Sequence, residues 1–209
     1  GIHVSVADFT LAIAIQNLAW GLLQPFAGAL AARVGFRPIM LAGSVFYVLG
    51  MLALATAQGL TGVMVGAGLL VGCAMACCGS AIAMPVATRA VSPAVRSTVL
   101  GIVSAAGSLG AMIAAPTGQI LSDGLGWRAG VLGFMVLAAC MIPAAWVAGR
   151  ADALPLPERG SGLGDQQSAT QALRQACTTL PFVVMGTAYF VCGMQLVFIT
   201  THLPRYLAQ

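Results

Sequence analysis

From Pro38 to Thr88 the chain runs 51 residues without one charged side chain, bounded by Arg37 and Arg89. No soluble domain of ordinary composition reads that way. A bilayer's hydrocarbon core is about 30 Å thick and takes ~20 apolar residues to cross as a helix. This stretch is long enough for two crossings, with Ala57-Gln58-Gly59-Leu60-Thr61-Gly62 as the turn between them. The sequence therefore predicts a membrane protein.

Composition agrees. Charged residues make up 7% of the chain and hydrophobic ones 59%, against about 25% charged in globular domains. Every basic residue is Arg. The six Cys form no C-x-x-C pattern, and five lie inside apolar runs, where Cys usually acts as a small apolar packing residue. No disulfide, metal site or cofactor is expected. The chain opens on Gly with no signal peptide before its first apolar run, and we expect a segment of a longer reading frame.

Apolar windows fall at 9–32, 38–57, 62–88, 98–122, 129–149 and 180–201. Backbone groups in lipid must pair among themselves, so such runs are helices or closed barrels. Runs this long exceed the roughly 10 residues of a barrel strand. The expected fold is an all-α membrane protein of six transmembrane helices. With residues 1–8 outside, Arg33, Arg37, Arg89, Arg96, Arg150, Arg159 and Arg174 fall on the cytoplasmic side and only Arg128 and Arg205 outside. That asymmetry obeys the positive-inside rule. Residues 150–179 hold Pro155, Pro157, Gly160, Gly162 and Gly164 and read as a flexible cytoplasmic linker, with Ala169 to Thr178 as a short surface helix. The domains expected are 1–149, the linker 150–179, and the final span 180–209.

Polar and small residues form stripes. Thr10, Asn17, Gly21, Gln24 and Gly28 lie within about 40° of one another on the first span. Amides in lipid need partners, so Asn17 and Gln24 either bind helix to helix or border a substrate path. On the fourth span Ser97, Gly101, Ser104, Ser108, Ala111, Ala115, Gln119 and Ser122 share one face. Close packing and ligand contact are the two readings there. The third span carries Gly62-x-x-x-Gly66 and Gly68-x-x-x-Gly72, the small-xxx-small spacing. Pro85, Pro116 and Pro143 each sit within a span. The fifth window has no Ser, Thr, Asn or Gln from Ala129 to Gly149 and is expected to face lipid. The last span offers Thr187, Tyr189 and Gln195, then His202 at its outer end. No Asp, Glu, His, Lys or Arg lies at mid-depth in any span, so no proton-coupling group is present in these six.

The loop Gly28-Ala-Leu-Ala-Ala-Arg33-Val-Gly35-Phe-Arg37 resembles the cytoplasmic signature G-x-x-x-D-R-x-G-x-R of the major facilitator superfamily. Gly28, Arg33, Gly35 and Arg37 match; Ala32 stands in place of the usual Asp, to which a charge-paired latch is ascribed. The resemblance implies helices two to seven of twelve, with 150–179 as the central loop and the remainder of the chain as partner. Within the superfamily, Arg96-Ser-Thr-Val-Leu-Gly101-Ile-Val-Ser-Ala-Ala-Gly107-Ser108 and Phe190-Val-Cys-Gly193-Met-Gln-Leu-Val-Phe-Ile-Thr-Thr-His202 look like the oxalate/formate-antiporter and monocarboxylate-transporter branch. Leu11 to Gly35 is similar to its bacterial members. What the likeness implies is alternating access between two six-helix bundles with a site near mid-membrane.

The resulting expectation is a secondary active transporter of a small organic anion, a mono- or dicarboxylate, in the inner (plasma) membrane, with no nucleic-acid partner. Its substrate-pathway candidates are Asn17, Gln24, Ser104, Ser108 and Gln195. A drug or metabolite efflux permease of the same superfamily is the alternative, and a non-transporting receptor or assembly factor a remote one. An intramembrane serine enzyme at Cys78-Gly79-Ser80 lacks a mid-membrane His to act as base.

Overall fold

The computed structural model describes residues 5–153, 174–175 and 177–207. All of the regular structure among them is helical. The chain forms two compact units, Gly1–Pro157 and Glu158–Gln209. Most of the expected linker, and with it most of the surface helix expected from Ala169, lies outside the described residues.

Helix α1 spans Val6–Val34. Ser5 caps it: the Asp8 N–H donates to the Ser5 hydroxyl at 3.2 Å, and the Ser5 N–H returns to the Asp8 carboxylate at 3.0 Å, a reciprocal capping box. One residue, Gly35, separates α1 from α2 (Phe36–Ala55). The third crossing is interrupted. It begins as α3 (Leu60–Val63), widens into a π turn at Met64–Leu70, continues as α4 (Val71–Cys78), breaks at Gly79 and resumes as α5 (Ser80–Arg89). After a 3-10 turn at Pro93–Val95, α6 covers Arg96–Leu125 and α7 Trp127–Ala148. A 3-10 turn at Gly149–Ala153 closes the first unit's described part. The second unit contributes α8, Leu180–Leu207. The turn expected at 57–62 is shorter, because Gly59 caps α3 and helix restarts at Leu60.

Five helical stretches among the described residues are long and apolar enough to cross a membrane. At 29 residues α1 is also long enough, but Gln16, Asn17 and Gln24 make it less apolar than the others. The side-chain distribution is that of a protein solvated by lipid. Leu18, Leu22, Phe26, Ile120, Val136 and Trp146 are exposed, while the buried positions are mostly small, with Ala12, Ala31, Ala74, Ala76 and Ser44 almost wholly enclosed. Small residues inside let backbones come together where no hydrophobic drive exists between helices.

Helix α2 is central and packs against α4, the π turn and α7; α4 also packs against α1. Two of the expected glycine spacings make these contacts. A Cβ on Gly66 would meet the Leu54 nitrogen at 2.8 Å and the Gly50 carbonyl at 2.9 Å, and one on Gly72 would meet the Gln16 carbonyl at 2.7 Å. Helix α6 packs only by part of its surface, against α7 and α5, and buries no residue. Helix α7 buries Gly130, Ala138 and Ala145 toward its neighbours and exposes Leu132, Val136, Leu137 and Ile142. Helix α7 is thus packed against α2 and α6 on one side and exposed on the other, whereas the whole window was expected to face lipid. Pro85, Pro116 and Pro143 all lie within helices.

Candidate functional site

Two groups of residues stand out in the first unit, one near mid-depth and one at the Arg-rich end.

At mid-depth the feature is the break in the third crossing. Gly79 is extended, with φ −67° and ψ 179°, so the helical ladder stops at Cys78 and a new helix starts at Ser80. A helix start leaves its first N–H groups without intrahelical acceptors. Here Ile82 and Ala83 donate to the Gly79 carbonyl, and Ser80 and Ala81, both exposed, head the helix. Counted at 1.5 Å per residue, Gly79 stands about 15 Å from Arg89, half the hydrocarbon thickness.

Helix α1 lines the same level. The indole nitrogen of Trp20 lies 3.3 Å from where a Gly79 Cβ would stand. That Nε1 is buried and has no hydrogen-bond partner. Asn17 and Gln24 flank Trp20 at i−3 and i+4, on its own face of α1, and both are partly buried. The Asn17 amide donates to the Ile13 carbonyl at 2.9 Å. Gln16 reaches across to the Met75 sulfur at 3.1 Å, which ties α1 to α4 one turn before the break. With the Asn17 and Gln16 amides engaged, the donors left at this level are the Trp20 indole N–H and the first N–H groups of α5, with no positive side chain among the residues named. Donors of that kind, together with the partial positive charge of a helix N-terminus, suit an anion.

The other expected pathway residues are placed differently. Ser104 and Ser108 sit on α6, exposed, and the Ser108 hydroxyl donates to the Ser104 carbonyl at 3.3 Å. From Ser97 to Ala115 the small stripe is exposed, and Gly101, Gly107 and Gly110 have nothing within 4 Å of a Cβ position. A close approach is seen at the far end of the stripe, where the Ser122 hydroxyl lies 2.9 Å from a Gly130 Cβ position. Gln195 belongs to α8 in the second unit. The side chains of Thr200, Thr201, His202 and Arg205 lie outside the described residues.

At the Arg-rich end, the stretch expected as a loop is helical except at Gly35: Gly28 and Arg33 belong to α1 and Arg37 to α2, and their junction closes through a residue that the sequence did not single out. Asp152 accepts the Phe36 N–H on Oδ1 at 2.9 Å and the Arg37 N–H on Oδ2 at 2.8 Å. It thereby caps the start of α2, for which Gly35 has no side chain to offer. Oδ1 also lies 3.7 Å from the Arg89 guanidinium. Arg37 stacks on Trp146 at 4.4 Å and donates from Nη2 to the Trp146 carbonyl at 3.2 Å. Arg89 lies over the Phe36 ring at 5.3 Å. Gly35 permits all of this: its φ is +96° and a Cβ would stand 2.8 Å from the Asp152 Oδ2. With Ala32 in the signature's acidic position, Asp152 is the carboxylate that serves this loop. Arg33 is exposed, and a Cβ on Gly28 would meet nothing within 4 Å. At the opposite end Arg128 donates to the Ala57 carbonyl at 3.3 Å.

Among the described residues no group of three or more His, Cys, Asp or Glu could hold a metal ion, and the Cys residues are thiols.

Trp20 and Gly79 had weak sequence signals. A Gly-Ser pair inside an apolar run is a known kink point. Asp152 had none beyond being the first acid after a span.

The family model described as Major Facilitator Superfamily matches residues 1–209. Comparisons with curated proteins and with solved structures give no match.

Proposed function

Because the chain belongs to the major facilitator superfamily, whose members are membrane transporters, we propose that its cargo is a small organic anion, a mono- or dicarboxylate, moved by alternating access. The observation that carries this reading is the helix break at Gly79. It sets a half-helix N-terminus and the unpartnered Trp20 indole N–H side by side near mid-depth. Discontinuous helices whose N-termini meet anionic groups are a recurrent way to build such a site. Asn17 and Gln24 are the neighbouring pathway residues in this reading. Ser104 and Ser108 are its further candidates in the first unit, on α6, and Gln195 is its candidate in the second unit, on α8.

The same reading assigns residues 1–149 to most of a first bundle, 150–179 to a cytoplasmic central linker and 180–209 to the first helix of a second bundle, in the inner (plasma) membrane. Its support is the gathering of Arg37, Arg89 and Asp152 at one end of the unit while Arg128 holds the other. Likeness to the oxalate/formate and monocarboxylate branch supports exchange of anions as the mode.

Uptake of labelled mono- and dicarboxylates by the full-length protein in proteoliposomes tests the substrate class. Saturable flux of at least one such acid is expected. Transport of organic cations alone would replace this reading with the efflux alternative.

A further inference from the structure

Two cavities meet at the Arg-rich end of the first unit, and they differ in chemistry. One, of about 460 Å³, is bordered by Val34, Arg37, Pro38, Gly149, Arg150 and Asp152. The other, of about 530 Å³, is an apolar groove among α2, α5, α6 and α7, with Met40, Val86, Ala90, Val103 and Val147 along it. Arg150 borders both.

Among the described residues, the charges around the first cavity do not cancel. Asp152 brings one negative charge, already engaged by the N–H groups of Phe36 and Arg37 and by Arg89. Among the described residues, the Arg37 guanidinium meets neutral groups, the Trp146 carbonyl and ring, and its Nε is buried without a partner. Arg150 is exposed and makes no ion pair or hydrogen bond among the described residues. Arg33 from α1 adds a further exposed positive charge to this end. A partly buried guanidinium without a counter-charge favours an anion. The adjoining groove, apolar and bordered by the exposed Val147, suits a hydrocarbon chain rather than water. The indole of Trp146, also exposed, is the side chain that settles at the headgroup level of a bilayer.

We propose that this end of the unit holds one anionic phospholipid, its phosphate at Arg37 and Arg150 and an acyl chain in the groove. The lipid completes the charge balance of the α1–α2 loop and ties α2 to α7. It is separate from the mid-depth site, and nothing in it depends on what the protein transports.

Native mass spectrometry of the full-length protein released from nanodiscs of phosphatidylglycerol and phosphatidylcholine in equal parts tests the proposal. One phosphatidylglycerol is expected to stay bound in preference to phosphatidylcholine. Arg150→Gln should lower its retention about fivefold, the scale of one Arg at an anionic headgroup, and Arg150→Lys should restore most of it. Ala90→Trp, at an exposed position on the groove, should lower retention without loss of the headgroup contacts. Equal retention of the two lipids, or no effect of Arg150→Gln, overturns the proposal. If glycerol 1-phosphate displaces the lipid and Ala90→Trp has no effect, the ligand is a soluble phosphate and the lipid assignment fails.

Discussion

Asp152 Oδ2 accepts the backbone N–H of Arg37 at 2.8 Å, across 115 residues of chain. A helix start normally finds its cap in the residue just before it. Here that residue is Gly35, and the cap arrives from the turn that follows α7. The contact closes α1, α2 and α7 into one knot at the Arg-rich end and leaves Arg37's guanidinium for Trp146.

Replacing Asp152 by Ala should destabilise the protein by about 0.5–2 kcal/mol, the range for loss of an N-cap, with a further contribution of about 0.3–1 kcal/mol from the lost charge at the helix N-terminus. Asp152→Asn keeps an acceptor and should recover part of the loss. Thermal unfolding in detergent reads both. Equal melting of Asp152→Ala and the parent would show that the cap carries no weight.

Gly35→Ala should be worse than Asp152→Asn. The backbone at φ +96° and ψ 164° lies where only glycine is at ease, at a cost of about 1–3 kcal/mol for other residues. The added methyl also stands 2.8 Å from the Asp152 Oδ2, so the cap must move. A melting temperature within a degree of the parent would count against the loop geometry described.

Glycines in the membrane should divide by what they touch. Gly72→Leu forces a side chain toward the Gln16 carbonyl, 2.7 Å from the Cβ position, and should cost about 1–3 kcal/mol by overpacking while parting α1 from α4. Gly101→Ala meets nothing within 4 Å and should be neutral or stabilising by up to about 1 kcal/mol, the difference in helix propensity. Unfolding of the two variants side by side would settle the contrast, and a loss at Gly101 would mean that another helix covers it in the membrane.

How much of this was legible in the sequence depends on which physical signal each residue sends. Span existence was plain, because a charge-free run such as 38–88 has one physical explanation. The signature of Gly28, Arg33, Gly35 and Arg37 fell on the junction of α1 and α2, but the loop expected from Gly28 to Arg37 is one residue, Gly35, with the rest helical. The glycine spacings at Gly66 and Gly72 also read correctly as close contacts. The α6 stripe did not tell packing from exposure, since a row such as Ser97 to Ala115 serves either and the choice depends on neighbours. Asp152 could not be found, because its partners are backbone N–H groups of α2, which have no sequence identity. Trp20 sent only a weak signal for a related reason. An indole in an apolar run reads as packing until a neighbouring helix fails to satisfy its nitrogen.

That unsatisfied nitrogen yields the sharpest prediction. The Trp20 Nε1 is buried without a partner beside the Gly79 break, and a buried unpaired donor costs about 1–3 kcal/mol. Trp20→Phe removes the donor and keeps an aromatic ring. If the N–H is only a packing defect, the variant should melt higher and transport as before. If it binds the carboxylate of the cargo, the variant should again melt no lower, yet KM should rise about tenfold or more, as expected for loss of a hydrogen bond to a charged group. Stability and affinity then move in opposite directions, which a folding defect cannot imitate. Flux in proteoliposomes gives KM, and thermal unfolding of the same preparation gives stability. Ser80→Cys in a background without the native Cys residues adds position: substrate should protect that thiol from small water-soluble reagents. An unchanged KM in Trp20→Phe would remove the indole from the site and leave the break at Gly79 as a feature of packing alone.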